Sequence, residues 1–367
     1  MTIRTRLCAA AAAALIGACA LSATPAQAAD PISDGQWYVD FLHLAQAHQI
    51  NKGAGVTVAV IDTGVDATHP DLKGSVVAGA DFSRGGGSDG LLDTDGHGTA
   101  MAGLIVGHGR IRGVAPAARV MSVRAATGVS GSSTATAQAI TWAVEHGATV
   151  LSLSVAYDTR DLVLEQAVQD AVGKNVVIVA GVGNLPRNRT VGYPAAYPGV
   201  LAVGGVDRNG SHSPTSVTGA QVAIAAPCDD ISTAFKQHQR GVGTGTSHAT
   251  ALVAGAAALL RTKFPQLPAT EIVRRLIATA VDKGPAGRDD QYGNGVLDLV
   301  AALSADTAPT AAAITAGPPG PTTANAPAAE PNPTPAAGVL VTAVAVCLLL
   351  LVGATVTGVL MARRRRP

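Results

Sequence analysis

Near-continuous runs of Val, Ile, Ala and Leu recur at positions 56–61, 119–124, 150–154, 176–180, 200–204 and 221–225, without the alternation of a half-solvated strand. A strand of that kind has both faces covered, the situation of a parallel sheet with helices on either side. Helical patterns at 98–106, 133–146, 162–173, 247–264 and 269–280 fall between or after these runs. The alternation predicts right-handed crossovers and an α/β fold: a three-layer α/β/α body around a mainly parallel sheet. Such folds gather their ligands at the carboxyl ends of the strands.

Chemically capable residues stand where those ends are expected. Asp62 follows the run 56–61, His97 lies between two glycines ahead of a helical stretch, and Ser247 opens an Ala/Leu/Val run. A serine hydroxyl is a weak nucleophile at neutral pH and needs a positioned base. An imidazole meets that need when a buried carboxylate fixes its tautomer and stabilises the imidazolium that forms. Asp62, His97 and Ser247 are therefore the candidate carboxylate, base and nucleophile. Each alone also has a plainer reading, as a turn former, a loop histidine or a helix N-cap. Chain order narrows the choice: Asp, His, Ser is the order of subtilisin, whereas chymotrypsin runs His, Asp, Ser and α/β-hydrolases run Ser, acid, His. Ser247 also lacks the Gly-x-Ser-x-Gly frame, which disfavours a lipase or esterase.

The segments Val58-Ala-Val-Ile-Asp-Thr-Gly-Val65, His97-Gly-Thr-Ala-Met-Ala-Gly103 and Gly245-Thr-Ser-His-Ala249 resemble the three signature blocks of the subtilisin family. The likeness covers roughly residues 53–303. A fourth block, Val176-Val-Ile-Val-Ala-Gly-Val-Gly-Asn184, is similar to the strand and loop that supply that family's oxyanion asparagine. The resemblance thus makes Asn184 a candidate side-chain donor to the charge of a tetrahedral intermediate, with the Ser247 backbone N–H as the second donor. Where subtilisins present Ser-Leu-Gly-Gly to align the substrate backbone, this chain has Ser154-Val-Ala-Tyr157. Ser154, Val155 and Ala156 are thus candidate substrate-binding residues, and the bulkier side chains could narrow the primary pocket. The proline usual four residues after the nucleophile is Ala251. His69 reads as a loop-ordering residue, while His248 either lines the cleft or packs.

Outside the body, the sequence predicts several appendages. Residues 1–28 have the three-part pattern of a secretory signal, with Arg4 and Arg6, an apolar stretch and Ala26-Gln-Ala28. Ile16-Gly-Ala-Cys19 offers the competing reading of a lipoprotein site with lipid on Cys19. Residues 29–52 form a short extension expected to pack on the body through Trp37, Tyr38 and Phe41, residues 53–304 the peptidase domain, and residues 305–337 a Pro/Ala/Thr-rich tether. Residues 338–361 hold no charge and are long enough to cross ~30 Å of hydrocarbon as a single transmembrane helix. Arg363 to Arg366 in the tail 362–367 place that end in the cytoplasm and the body outside, so the expected location is the cell membrane.

Of the 26 basic residues, six lie in the leader and tail, which leaves 20 against 25 acidic ones in between. A net negative body argues against nucleic acid as a partner. Cys228 is the one cysteine of the body, so it has no intramolecular disulfide partner there; it is a buried small residue or a lone thiol open to intermolecular pairing. No clustered spacing of ligating residues suggests a metal or cofactor.

The 27 or so residues from the predicted cleavage to Gly55 are too few for a folded pro-domain. A short extension containing Gln36-Trp-Tyr-Val-Asp-Phe-Leu-His43, a tether, one membrane helix and an arginine tail resemble the mycosins, membrane-anchored subtilases of type VII secretion systems, although the cysteine pairs common in mycosins are missing. The resemblance implies an extracytoplasmic serine endopeptidase acting on polypeptide substrates of a type VII secretion membrane complex. The alternative it leaves open is a structural component of that complex with slow or dispensable proteolysis.

Overall fold

The computed structural model describes residues 30–83, 86–128 and 130–305. The predicted leader, tether, membrane helix and arginine tail lie outside them. Among the described residues no helix is long and apolar enough to cross a membrane.

Seven strands form one sheet, and every pairing in it is parallel. They are β1 (Thr57–Asp62), β2 (Val76–Asp81), β3 (Arg119–Arg124), β6 (Val150–Leu153), β7 (Val177–Gly181), β8 (Leu201–Val206) and β9 (Ile224–Pro227), in the order β2-β3-β1-β6-β7-β8-β9. Successive residues of β1 and β7 serve opposite cores. Val58, Val60, Val177 and Val179 join one apolar cluster, while Ala59, Ile61, Ile178 and Ala180 join the other. That is why these strands show no polar alternation.

On the second face lie α5 (Ser133–Glu145) and α6 (Leu162–Gly173), whose first turns are capped by Ser132, accepting from Ala135 N–H, and Asp161, accepting from Val163 and Leu164 N–H. The first face carries α4 (His97–Val106), α7 (Thr246–Lys263), α8 (Ala269–Ala278) and α9 (Leu299–Ser304). Helix α7 is buried on nearly every side along its Ala/Leu/Val run and packs across β6 to β9, hence its weak amphipathic signal.

Sequence and structure differ where burial is one-sided or the chain turns back. β2 was not predicted: it is an edge strand, half exposed, with a register shift between Val77 and Ala80. The hairpin of β10 (Ile231–Phe235) and β11 (Gln239–Gly243), and the short ladder of β4 (Ala126–Thr127) with β5 (Ser130–Gly131), were missed as well. The run at 221–225 is shifted, since Gln221 and Val222 lie in a turn and the strand begins at Ile224. The extension was read without helices, yet it folds as α1 (Pro31–Asp34), α2 (Tyr38–Phe41) and α3 (Leu44–Ile50).

That extension is built into the body. Tyr38 is fully buried and donates its hydroxyl to Arg112 O at 2.9 Å, and Trp37 Nε1–H donates to Asp229 O at 3.0 Å. Gln36 exchanges two hydrogen bonds with the backbone of Arg110 and Arg112, and Ser232 N–H donates to Gly35 O at 2.8 Å. Cys228 is wholly buried, its Sγ close against Gly205, and burial pushes its thiol pKa up. Of the two sequence readings, the packed residue is the one observed. Tyr38→Ala removes a buried aromatic and its hydroxyl bond, so stability is expected to fall by about 3–5 kcal/mol, read as a lower melting temperature with the extension freed for limited proteolysis.

Candidate active site

The sheet delivers its polar residues to one edge. Asp62 ends β1, Arg124 is its register partner at the end of β3, Ser154 follows β6 and Asn184 lies three residues beyond β7. His97 begins α4, and Ser247 is the second residue of α7. Asp62, His97, Ser154, Val155, Ala156, Asn184 and Ser247 line a single open cleft of about 340 Å³, together with Asp95, Ala126, Gly128, Tyr157, Arg187 and Asn188.

Asp62 is 3% exposed. Its carboxylate accepts from His97 Nδ1–H at 2.8 and 2.9 Å and from Thr63 N–H at 2.8 Å. A donating Nδ1 leaves Nε2 as the acceptor, the tautomer a base requires. Burial opposes the imidazolium, but the charge of Asp62 and its hydrogen bond, with Asp95 and Asp93 further out, outweigh it and hold His97 above its ordinary pKa.

The loop before His97 is organised by Asp93, which sequence reasoning missed. Its buried carboxylate accepts from Thr63 Oγ1–H, Asp95 N–H, Gly96 N–H, Thr99 N–H and Thr99 Oγ1–H, at 2.6 to 3.1 Å. Thr63 Oγ1 in turn accepts from Gly98 N–H at 2.9 Å, which ties the end of β1 to the first turn of α4. A Cβ on Gly98 would come within 2.0 Å of Gly64 O, so glycine is required for this approach.

Asn184 is held by both ends. Its side-chain oxygen accepts from Thr246 N–H at 2.8 Å, its backbone N–H donates to Asn188 Oδ1 at 3.1 Å, and its backbone oxygen accepts from Asn188 N–H at 2.9 Å. With the oxygen so engaged, the amide nitrogen is the end that remains to donate. It lies beside Gly245, where an added Cβ would be 3.3 Å from Nδ2. Asn188, also missed, donates onward to Asp158 Oδ1 at 2.8 Å and Ala156 O at 3.4 Å, so one side chain braces both the Asn184 turn and the 154–158 segment. Ser154 Oγ–H donates to Ser247 O at 3.3 Å. Tyr157 pairs its backbone with Tyr193 and carries its hydroxyl to Thr136 on α5 at 2.8 Å.

The other histidines follow their plainer readings. His69 accepts Asp71 N–H at Nδ1 and donates Nε2–H to Gln239 O at 2.8 Å, and Asp71 forms a two-pronged ion pair with Arg240. Both contacts fasten the loop to β11. His248 is 7% exposed, donates Nδ1–H to Gly245 O and is pushed down to about 4 by burial and by His97; its ring packs against Gly243 and does not line the cleft. Among the described residues no cluster of His, Cys, Asp and Glu is suited to a metal ion.

A serine in the first turn of a helix, a carboxylate-held imidazole and a side-chain amide around one cleft are an arrangement suited to a serine peptidase. Residues 53–295 match the Subtilase family, and the chain belongs to it as a subtilisin-like serine endopeptidase. Within that family it is similar to the mycosins: it is 36% identical to Mycosin-1 of Mycobacterium tuberculosis (strain ATCC 25618 / H37Rv) over 337 residues, 75% of this chain and 74% of that one. Subtilisin DY of Bacillus licheniformis is 36% identical over 258 residues, 68% of this chain and 92% of that one. The structure of MycP1, described as a serine protease and an essential component of the type VII (ESX-1) secretion system, superposes with a TM-score of 0.68 at 34% identity, covering 76% of this chain and 90% of that one. MycP3, of the ESX-3 system, gives 0.65 at 35%, with 76% and 90% covered.

Asp93→Ala leaves several buried N–H and O–H groups without an acceptor, a loss of order 3 kcal/mol. The expected outcome is a lower melting temperature together with a lower kcat/KM, because the Asp62–His97 pair loses its frame.

Proposed function

We propose that the chain is a membrane-anchored, extracytoplasmic serine endopeptidase that processes polypeptides of a type VII secretion system. In this reading Ser247 is the nucleophile, His97 the base and Asp62 the carboxylate that orients it. The observation that carries the reading is the Asp62–His97 hydrogen bond at the mouth of the cleft that Ser247 lines. His97 Nε2 takes the Ser247 proton as Oγ attacks the scissile carbonyl, and later returns it to the leaving amine. Asn184 Nδ2–H and Ser247 N–H receive the developing oxyanion; loss of one such donor in subtilisin slows turnover about 100- to 1000-fold. Ser154, Val155 and Ala156 form one wall for the substrate backbone. Water then releases the acyl group from Ser247 by the same proton path.

The anchor rests on the uncharged run 338–361 followed by four arginines, and export rests on the leader pattern in 1–28. The secretion context comes from the likeness to the structures of MycP1 and MycP3, proteins of the ESX-1 and ESX-3 type VII secretion systems. The intact set Asp62, His97, Asn184 and Ser247 favours hydrolysis over a purely structural part.

One experiment tests chemistry and place together. Intact cells carrying the full-length protein are treated with a fluorophosphonate that does not cross the membrane. Labelling of wild type but not of Ser247→Ala, with the label retained in the membrane fraction, is expected. An unlabelled wild type whose cleft is open would end the assignment of Ser247, and label in the soluble fraction would end the anchor.

A pH profile follows from the same geometry. His97 must be neutral to act as base, and Asp62 raises its pKa, so kcat/KM is expected to decline as pH falls through a value above 6.5. Asp62→Asn removes the charge that favours the imidazolium, so the remaining activity should keep its acid limb at a lower pH.

A further inference from the structure

We propose that the valley between α5 and α6 is a second substrate-binding surface, which takes an amphipathic, basic helix of the polypeptide being cleaved, away from the residues that flank the scissile bond. The inference rests on the peptidase reading above and adds to it the class of polypeptide served.

The groove has a volume of about 630 Å³. On one wall Leu162 is 72% and Val163 61% exposed, the two highest values among the large apolar side chains described. They open α6, which Asp161 already caps, so the helix itself asks nothing apolar of them. Trp142 lines the other wall on α5, its indole held by stacking on His146 with ring centroids 3.8 Å apart, and Phe82 lines the groove as well. A contiguous apolar surface left open to water marks an interaction site.

Both walls have the same period. Helix α5 contributes positions 137, 138, 141, 142 and 145, and α6 contributes 162, 163, 166, 167 and 170. Each set is one stripe along a helix face. The hydrogen bond from Ser133 Oγ–H to Asp161 Oδ2 sets the two helix starts side by side. Each stripe is ~12 Å long, the length of about two helical turns. A valley between two such stripes matches a third helix, whose residues at i, i+3, i+4 and i+7 would meet Leu162, Val163 and Trp142. Charge sets the rest of its chemistry. Glu145 and Asp170 stand at the far ends of the two stripes, and among the described residues no Lys or Arg lines the groove. A guest helix with Lys or Arg beside its apolar face is favoured there, and an acidic one is repelled.

Continuity with the cleft says to whom that helix belongs. Gly131 lines the cleft and is followed by Ser132, the cap of α5, whose second turn brings Ala137 to the groove. On the other wall Tyr157 lines the cleft and Leu162, at the start of α6, lines the groove. Thr136 Oγ1 and the Tyr157 hydroxyl meet at 2.8 Å where the two surfaces join. Both walls of the cleft therefore run on into the walls of the groove, and a chain that fills one is led to the other. Trp142 lies ~13 Å along α5 from Ser133, beyond the residues that meet a peptide bond over Ser247.

Two measurements test this on the full-length protein in nanodiscs of neutral lipid. The first is the fluorescence anisotropy of a labelled peptide of ~16 residues, long enough to form a docked helix, with Leu at i, i+3, i+4 and i+7 and Lys beside them. It is titrated with Ser247→Ala, which binds without cutting. Adding Leu162→Ser with Val163→Ser is expected to weaken binding about tenfold. Adding Glu145→Gln with Asp170→Asn should weaken it about threefold, and a peptide with Glu for Lys should bind less tightly to the unaltered groove. The second measurement joins the helix by a flexible linker to a short quenched peptide that the protein cleaves. Wild type is expected to show a KM about tenfold lower than for the bare peptide, with kcat unchanged. The Leu162→Ser, Val163→Ser protein should lose that gain and cleave the bare peptide as wild type does. Equal binding with and without those two substitutions, or a helix that binds and leaves KM unmoved, overturns the inference. So does a wild type that sediments as paired copies and becomes single in the Leu162→Ser, Val163→Ser protein, because the groove then holds a second copy. A wild type that cleaves neither peptide and takes no fluorophosphonate label overturns the peptidase reading, and this inference with it.

Discussion

A parallel sheet with helices on both faces leaves its central strands no polar face. In this chain Val58 to Ile61 are wholly apolar because every one of those side chains meets a core, Val58 and Val60 on one side and Ala59 and Ile61 on the other. Polar chemistry is therefore displaced to the ends of the strands, and the carboxyl ends receive it. Asp62 is the first residue of β1 that can carry a charge, and it is still 3% exposed. A carboxylate in that position must be hydrogen-bonded. Thr63 N–H and His97 Nδ1–H supply the bonds, so the demand that stabilises the buried acid also orients the imidazole.

The same economy holds around the rest of the cleft. Asn188 joins the Asn184 turn to the segment beside Ser154, Asp93 joins the end of β1 to the start of α4, and the Asn184 side-chain oxygen joins that turn to the start of α7. Apart from the Asn184 amide, these side chains act on one another rather than on a substrate. Together they fix the relative positions of the groups that would act on it, which is the preorganisation that hydrolysis at a weak nucleophile requires.

What the sequence made legible was whatever depends on burial over a whole element. The central strands and the five long helices are foreseen to within a few residues because two-sided or one-sided burial leaves a run or a period. Asp62, His97, Ser247 and Asn184 were singled out because they sit at the ends of such runs in blocks of known order, and the structure gathers them around one cleft. Asp93 and Asn188 were not, because an acid or amide that accepts backbone N–H groups is indistinguishable in sequence from any loop residue. β2 and the β10–β11 hairpin escaped because they carry no clear run or period: β2 is half exposed and interrupted by Gly79, β11 has no buried residue and holds Gln239, Arg240 and Gly241, and β10, though buried, has Ser232 and Thr233 within it. The expected membrane segment 338–361 lies outside the described residues.

The β10–β11 hairpin carries contacts from distant parts of the chain. Ser232 holds Gly35, Thr233 Oγ1–H donates to Ala100 O on α4, Arg240 grips Asp71, and four residues past Gly243 the chain reaches Ser247. The first three of these close spans of well over a hundred residues, and contacts of such length slow folding. A polypeptide emerging N-terminus first thus carries its aspartate and histidine long before the serine can be seated against them. Until the last quarter of the body is in place the peptidase cleft lacks the serine that lines it, so a partly made chain has no assembled means of cutting its neighbours or itself.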